Sequence, residues 1–486
     1  MNPADILDDL RPTPDRLGGT VRITFAAVLV ATVMLAFQMP FLAIGPYLVF
    51  ILSQRDTFLT RAAATLGIVV AAASTLAVYF VAWAAWDTGW LRVGLWAGIF
   101  YGGYFLMRVS VEPRAVLGPL VVIALFAFAF DKVPNPNAVV SQVGWLWAIL
   151  GLIIAATFLT QWLFGAPTGI ELLRRQFREL LIAVERASLR GAREKSPRPV
   201  RLSFDEEEAD GRIEKLAMAG VLSAAQSRNL RAILRGAFEV LHAGAADTAP
   251  PRARAAWIRR LRLRILLGTE AGALPPWADP ADPADPAWRE TADPLHTAAA
   301  GIFSPKEPAP PARRRSDLLL PDWNSNPAYP AFALRATLAT MGCYVFMTLT
   351  DWNGIHTCLI TCAVTALAGV ESQVRKQNLR MTGALIGGLL GIGAVIFLIP
   401  RTDSLAAYLA ILAGGTAAAA WVSLGSERIS YAGWQIALAF YMTVLQDPHP
   451  TTKLDVIRDR WAGIFLGIIA MRAAFAWFPI QRGRSP

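Results

Sequence analysis

Long apolar runs, separated by short polar turns, organise most of this chain. Each run is about 20 residues long, which is the length that an α-helix needs to cross a hydrocarbon layer of roughly 30 Å. The runs lack the polar back face that is typical of helices in soluble proteins. The first part of the chain contains six predicted spans: 20–38, 40–53, 62–86, 90–107, 115–131 and 143–165. The last part contains six more: 329–350, 354–370, 380–400, 404–423, 429–446 and 458–478.

The segment between these two sets of spans has a different pattern. Residues 170–190 carry an apolar stripe at helical spacing, which predicts an amphipathic helix, and 205–243 and 252–268 predict further helices. After residue 272 the chain is rich in Pro, Ala and Asp, which favours an extended linker over a packed domain. The predicted organisation is a membrane half, a helical insert, a linker and a second membrane half: 1–165, 166–272, 273–328 and 329–480.

Short sequences recur in the two membrane halves. VRITFA around Arg22 corresponds to LRATLA around Arg335, and aligning Ser53 with Ser372 places Arg61 on Arg380. Because six spans per half is an even number, the halves share one orientation and are related by an axis along the membrane normal. The predicted fold is therefore an all-α membrane protein of about 12 transmembrane helices, arranged as two parallel six-helix repeats with a cytoplasmic helical insert.

The distribution of Arg and Lys predicts the orientation in the membrane. Basic residues cluster before the first span, after the second and fourth spans, and at the start of the insert, so both termini and the insert are predicted to be cytoplasmic. The last outer loop is an exception, since it holds Lys453, Arg458 and Arg460. Either the membrane entry is displaced there or these charges have a function. The N-terminal segment lacks a signal-peptide pattern, so the first run is predicted to remain as an anchor.

Composition agrees with a membrane protein and argues against other classes. The chain is 55% hydrophobic and 17% charged, with a net charge of +10 that fits cytoplasmic loops rather than a nucleic-acid partner. No glycine loop ends in Gly-Lys-Ser/Thr, so ATP hydrolysis is not expected. The four His residues are scattered, and Cys343, Cys358 and Cys362 fit buried packing better than metal binding. We expect no enzyme activity, no cofactor and no metal.

Arginines near the predicted membrane are the main candidates for function. Arg22, Arg335, Arg61 and Arg380 occupy matched positions, and guanidinium groups bind carboxylates through two parallel hydrogen bonds. The alternative is that they only anchor helix ends at the membrane surface.

Acidic residues, a histidine and a glycine ladder complete the candidate set. Asp56 and Glu371 flank the same polar turns, and His356 could couple transport to protons because His titrates near neutral pH. Gly383, Gly387 and Gly391 have the spacing that lets helices approach closely.

These motifs resemble the fusaric acid resistance (FUSC) family, which includes aromatic acid exporters and multidrug-resistance subunits. The likeness rests on the two Arg-bearing helix starts, on SQRDTFLTRAAATLG and ESQVRKQNLRMTGALIGGLLG, and on the closing RDRWAGIFLGIIAMRAAFAWFPIQR. The family motif falls on Arg22, Arg335, Ser372, Gln373, Arg380, Gly383 and Gly387. Ala64 stands where the second half has Gly383, so the first copy is degenerate.

The resemblance implies efflux of aromatic carboxylic acids or similar amphipathic anions across a bacterial inner membrane. It implies coupling to the proton gradient and pairing with a periplasmic adaptor and an outer-membrane channel; a homo-oligomer is a further expectation. Two other functions stay open: a passive anion channel with the same cationic pore, and a membrane scaffold that does not transport. The identity of the substrate is not fixed by the sequence.

Overall fold

The computed structural model describes most of the two membrane halves and part of the insert. The residues that it describes are 9–12, 16–53, 56–110, 113–130, 133, 135–190, 202, 204, 206–243, 258–259, 262, 319–366, 370–425, 429–447 and 455–477. Most of the predicted linker and of the predicted helix 252–268 lies outside this set.

The described residues fold into helices at the predicted positions. The first half contains α1 (Arg16–Ala36), α2 (Ile44–Leu52), α3 (Thr57–Ala85), α4 (Gly89–Val109), α5 (Pro113–Phe130) and α6 (Pro136–Phe164). The insert contains α7 (Gly169–Arg190), α8 (Glu206–Met218) and α9 (Ala224–Ala243). The second half contains α10 (Ala328–Leu349), a 3₁₀ turn (Asn353–His356), α11 (Thr357–Ala366), α12 (Val370–Gly393), α13 (Leu405–Ser423), α14 (Ser430–Val444) and α15 (Asp455–Trp477). After α12 the chain continues through a π-helical turn, Ala394–Leu398, and a 3₁₀ turn, Ile399–Arg401.

Six of the described helices are long and apolar enough to cross a membrane, judged by length and composition. They are Arg16–Ala36, Thr57–Ala85, Pro136–Phe164, Ala328–Leu349, Gln377–Arg401 and Leu405–Ser423. The chain is therefore an all-helical, multi-pass membrane protein in the part that the structure describes. Twelve spans remain a prediction.

The first helices of the two halves share one pattern of burial. Each buried position of α1 corresponds to a buried position 313 residues later in α10, from Arg16 and Tyr329 to Met34 and Met347. In this register Arg22 falls on Arg335, since 335 − 22 = 313. Burial thus follows the sequence similarity on which the repeat was predicted.

The two halves exchange packing partners reciprocally. Helix α1 packs against α13 and α10 packs against α4, so the first helix of each half contacts the fourth helix of the other. In the same way α2 packs against α14, and α11 against α5. One hydrophobic core is built mainly from α1, α2 and α6 with α13 and α14, and the other mainly from α10, α11 and α15 with α4 and α5. This is the pattern expected of two repeats related by a two-fold axis.

The third helices of the two halves pack differently. A Cβ atom on Gly383, Gly387 or Gly391 would overlap atoms of α14, so these three glycines allow α12 to lie directly against that helix. Helix α3 has Ala64 in place of the first glycine, and it leaves Leu76 and Trp83 exposed. Thus α3, which has Ala64 where α12 has its first glycine, is also loosely packed.

The insert helices form a compact unit of their own, which comprises Asp56–Phe58 and Pro167–Ala312. Its helices begin with reciprocal caps: Thr168 and Glu171 exchange backbone and side-chain hydrogen bonds at the start of α7, and Ser223 and Gln226 do so at the start of α9. The apolar stripe predicted for α7 is buried, at Leu173, Phe177, Leu180, Leu181 and Val184.

The contact between α12 and α14 gives a direct test of the packing. Replacing Gly387 with Leu should lower the melting temperature of the purified protein, because overpacking costs about 1–3 kcal/mol or more. Gly393 is a matched control on the same helix, because a Cβ there meets no atom within 4 Å. Thermal denaturation in detergent should show Gly393→Leu melting close to the unsubstituted protein. An equal loss for both variants would contradict the close approach at Gly387.

Candidate anion-binding site

Short second helices mark corresponding positions in the two halves. Helix α2 has nine residues and α11 has ten, so neither is long enough to cross a hydrocarbon layer alone. The turns before them adopt positive φ angles at non-glycine residues: 48° at Gln38, 60° at Phe41 and 47° at Asp351. Matched short or interrupted helices in membrane repeats commonly surround a substrate site. Polar groups beside these two helices are therefore candidates for a binding site.

Arg380 lies on α12 and is almost completely buried, with 2% of the residue exposed. Its Nη1 donates a hydrogen bond to the Tyr431 hydroxyl on α14 at 3.2 Å, whereas its Nε has no acceptor. The close approach of α12 and α14 at Gly383, three residues later, holds this part of α12 against α14.

Arg460 lies on α15 and is 3% exposed. Its Nη1 contacts the Met442 sulfur at 2.9 Å, and its Nε and Nη2 have no acceptor. The Thr357 hydroxyl, at the start of α11, donates to the Arg460 carbonyl at 3.2 Å. The sequence pattern assigned Arg460 to an outer loop, but the structure places it inside a helix. One charge of that loop is therefore a buried side chain, and a displaced membrane entry stays a prediction.

The two guanidinium groups belong to one site. Arg380 and Arg460 interact electrostatically with each other, with Tyr47 on α2 and with Tyr431 on α14. Gln435, one turn after Tyr431, is also buried, and its Oε1 has no hydrogen-bond donor. Helices from both halves therefore surround the site.

In the part of the chain that the structure describes, this site carries positive charge without a negative counterpart. Among the described residues, no carboxylate lies within ion-pair distance of either guanidinium. Arg stays protonated in proteins, so both groups are cations. Burying a charge is costly unless it is paired, and two buried cations also repel each other. The arrangement is suited to bind an anion.

The other predicted arginines have different surroundings. Arg22 is half-buried and donates to the Gly165 carbonyl at 3.2 Å. Arg335 is buried, with its guanidinium carbon 5.9 Å from the centre of the Phe475 ring, a cation–π contact. Arg61 is exposed, although the sequence matches it to the buried Arg380. Of the four, Arg380 is the one that the structure brings to the buried pair.

The remaining candidates are dispersed. Asp56 is 1% exposed and lies in the compact unit that contains the insert helices. His356 ends the 3₁₀ turn before α11, has its Nδ1 3.2 Å from the Asn353 carbonyl, and interacts electrostatically with Asp459 and Arg460. Glu371, Ser372 and Gln373 lie in the first turn of α12, but their side chains are outside the described set.

Sequence reasoning missed the roles of Arg460, Tyr47 and Gln435. A signal for Arg460 was present, because three basic residues in a predicted outer loop violate the positive-inside rule. Tyr47 and Gln435 are ordinary members of apolar runs, and no local pattern distinguishes them.

Comparisons with known proteins show similarity over part of the chain. No family model and no solved structure matches it. Over 180 residues it is 35% identical to the multidrug resistance protein MdtO of Shigella flexneri and 34% identical to MdtO of Escherichia coli K12. The match covers 36% of this chain and 26% of each relative, so the chain spans about a quarter of the curated relatives' length. The chain is a multi-pass membrane protein similar in part to multidrug resistance proteins.

The uncompensated charge predicts an unusual response to substitution. Replacing Arg460 with Gln should raise the melting temperature in anion-poor buffer, because it removes a buried charge that costs on the order of 1–3 kcal/mol. Arg458→Gln is the control, since the Arg458 side chain is 70% exposed and is paired with Asp459. Thermal denaturation without added organic anions measures both. A lower melting temperature for Arg460→Gln would indicate that a partner within the protein already compensates Arg460.

Proposed function

We propose that this protein is an inner-membrane exporter of organic anions, such as aromatic carboxylates and similar amphipathic compounds. The buried pair Arg380 and Arg460 is the observation that supports this function most strongly, because it presents unused guanidinium donors in an apolar setting. A carboxylate there would gain charge-assisted hydrogen bonds and would neutralise the buried charge. The partial similarity to multidrug resistance proteins supports export as the direction of transport.

Each part of the site has a distinct role in this proposal. The guanidinium groups bind the anion, and the Tyr431 hydroxyl orients Arg380 through its hydrogen bond. Tyr47 and Tyr431 supply aromatic rings beside the cations. Because Tyr47 comes from the first half and the other groups from the second, movement between the halves would open and close the site, as in other repeat transporters.

We also propose that His356 couples transport to protons. The imidazole lies close enough to Arg460 and Asp459 to interact with both electrostatically. A protonated His356 would repel Arg460 and change how strongly that arginine holds an anion. Asp56 and Glu371 remain further candidates for proton transfer, and Arg22, Arg335, Arg61, Ser372 and Gln373 for binding along the path of the substrate. A periplasmic adaptor, an outer-membrane channel and a homo-oligomeric assembly are part of the same proposal.

Transport into inside-out vesicles tests the exporter. Radiolabelled benzoate should accumulate against its gradient, and a protonophore should abolish the accumulation. Arg380→Gln should reduce the initial rate about tenfold or more, since a charged hydrogen-bond partner contributes about 1.5–3 kcal/mol. Arg458→Gln is the control, because the Arg458 side chain is 70% exposed and is paired with Asp459.

The other outcomes distinguish the alternatives. Benzoate flux that only follows its gradient, unaffected by the protonophore, would identify a passive channel. Equal rates for vesicles with and without the protein would leave a scaffold function. Equal loss for Arg380→Gln and Arg458→Gln would contradict the assignment of the buried pair as the binding site.

A further inference from the structure

We infer that the site selects anions that carry a negative charge at each of two ends, and that Arg460 determines this preference. The substrate class is thus an elongated dicarboxylate or an anion of equivalent charge distribution. This inference rests on the proposed function, because it specifies what the same pair of arginines binds.

The number of buried positive charges supports a dianion. Two buried cations need two negative charges for neutrality, and no described carboxylate pairs with either guanidinium. A monoanion would leave one positive charge buried and uncompensated, which is the costly state. A dianion removes the cost at both arginines in one binding event.

The places where the two cations contact α14 support an elongated anion. Arg380 is held by Tyr431 and Arg460 contacts Met442, and these two residues are 442 − 431 = 11 apart on one helix. At 1.5 Å per residue the helix rises about 16 Å over that distance. The guanidinium groups interact electrostatically, and their contacts lie at different levels of the helix. They are arranged in series rather than side by side.

A polar group lies between the two levels. Gln435 is one helical turn after Tyr431 and about two turns before Met442, and its buried Oε1 lacks a donor. An anion that extends from Arg380 to Arg460 would pass along this part of α14. Two carboxylates on neighbouring atoms would meet only one of the arginines, whereas carboxylates at opposite ends of a rigid ring would reach both.

Three simple aromatic acids distinguish the effect of the number of charges on binding from the effect of their positions. Benzoate carries one carboxylate, phthalate carries two on neighbouring ring atoms, and terephthalate carries two at opposite ends. Isothermal titration calorimetry on the full-length protein in nanodiscs at neutral pH should give one terephthalate per chain. Its affinity should be about tenfold or more above that of benzoate and phthalate, the effect of one additional charge-assisted contact.

Variants assign the preference to Arg460. Arg460→Gln should lower terephthalate affinity about tenfold, to the level of benzoate, and should leave benzoate binding nearly unchanged. Arg460→Lys keeps the positive charge and should retain most of the preference, which guards against a folding defect as the cause. Arg458→Gln should bind all three acids as the unsubstituted protein does.

The outcomes that overturn this inference differ from those that overturn the proposed function. If benzoate binds as tightly as terephthalate, the preference for dianions is contradicted, but the anion site is not. The same holds if two benzoates bind per chain with the same total free energy. If phthalate binds as tightly as terephthalate, the two arginines do not bind opposite ends of an elongated anion. If none of the three acids binds, in the unsubstituted protein as in Arg380→Gln, both the dianion preference and the proposed function are contradicted.

Discussion

The guanidinium groups of Arg380 and Arg460 lie buried with no carboxylate within ion-pair distance among the described residues, and burying charge in this way is costly. An isolated buried ion pair that loses one partner is destabilised by about 3–5 kcal/mol, and here two cations lie near each other. A protein that keeps such an arrangement sacrifices stability at one point. The natural explanation in a multi-pass membrane protein is a site whose missing charge arrives with the ligand, because charged groups within membrane helices are rare and tend to be functional.

The fold explains how the two arginines come together. The two largest hydrophobic cores of the described membrane helices are each shared by both halves, since the first and second helices of each half pack on the fourth and fifth helices of the other. Within this exchanged arrangement, the glycines of α12 bring that helix against α14 and place Arg380 beside Tyr431. The short α2 brings Tyr47 to the same site from the other half. The two halves thus share one packing pattern but differ in the surroundings of this arginine. Arg61, which matches Arg380 in sequence, lies exposed on the loosely packed α3.

Features that depend on local periodicity could be predicted from the sequence, and features that depend on packing between distant helices could not. Apolar runs located the helices because length and hydropathy are local properties, and the match of Arg22 with Arg335 agrees with the common burial pattern of α1 and α10. Arg380 was a candidate because of its position in a repeated motif. Arg460 was counted with Lys453 and Arg458 among the basic residues of the last outer loop, and only the packing of α15 shows that its side chain is buried.

Direct observation of an organic anion in the space between Arg380 and Arg460 is the most decisive test of the proposed site. A structure determined with 4-bromobenzoate, with anomalous data collected at the bromine edge, would locate the ligand without reference to activity. We expect a bromine peak beside Tyr47 and Tyr431, with the carboxylate on at least one of the two guanidinium groups. A carboxylate of the protein itself bound to both arginines, with no bromine peak at the site, would contradict it.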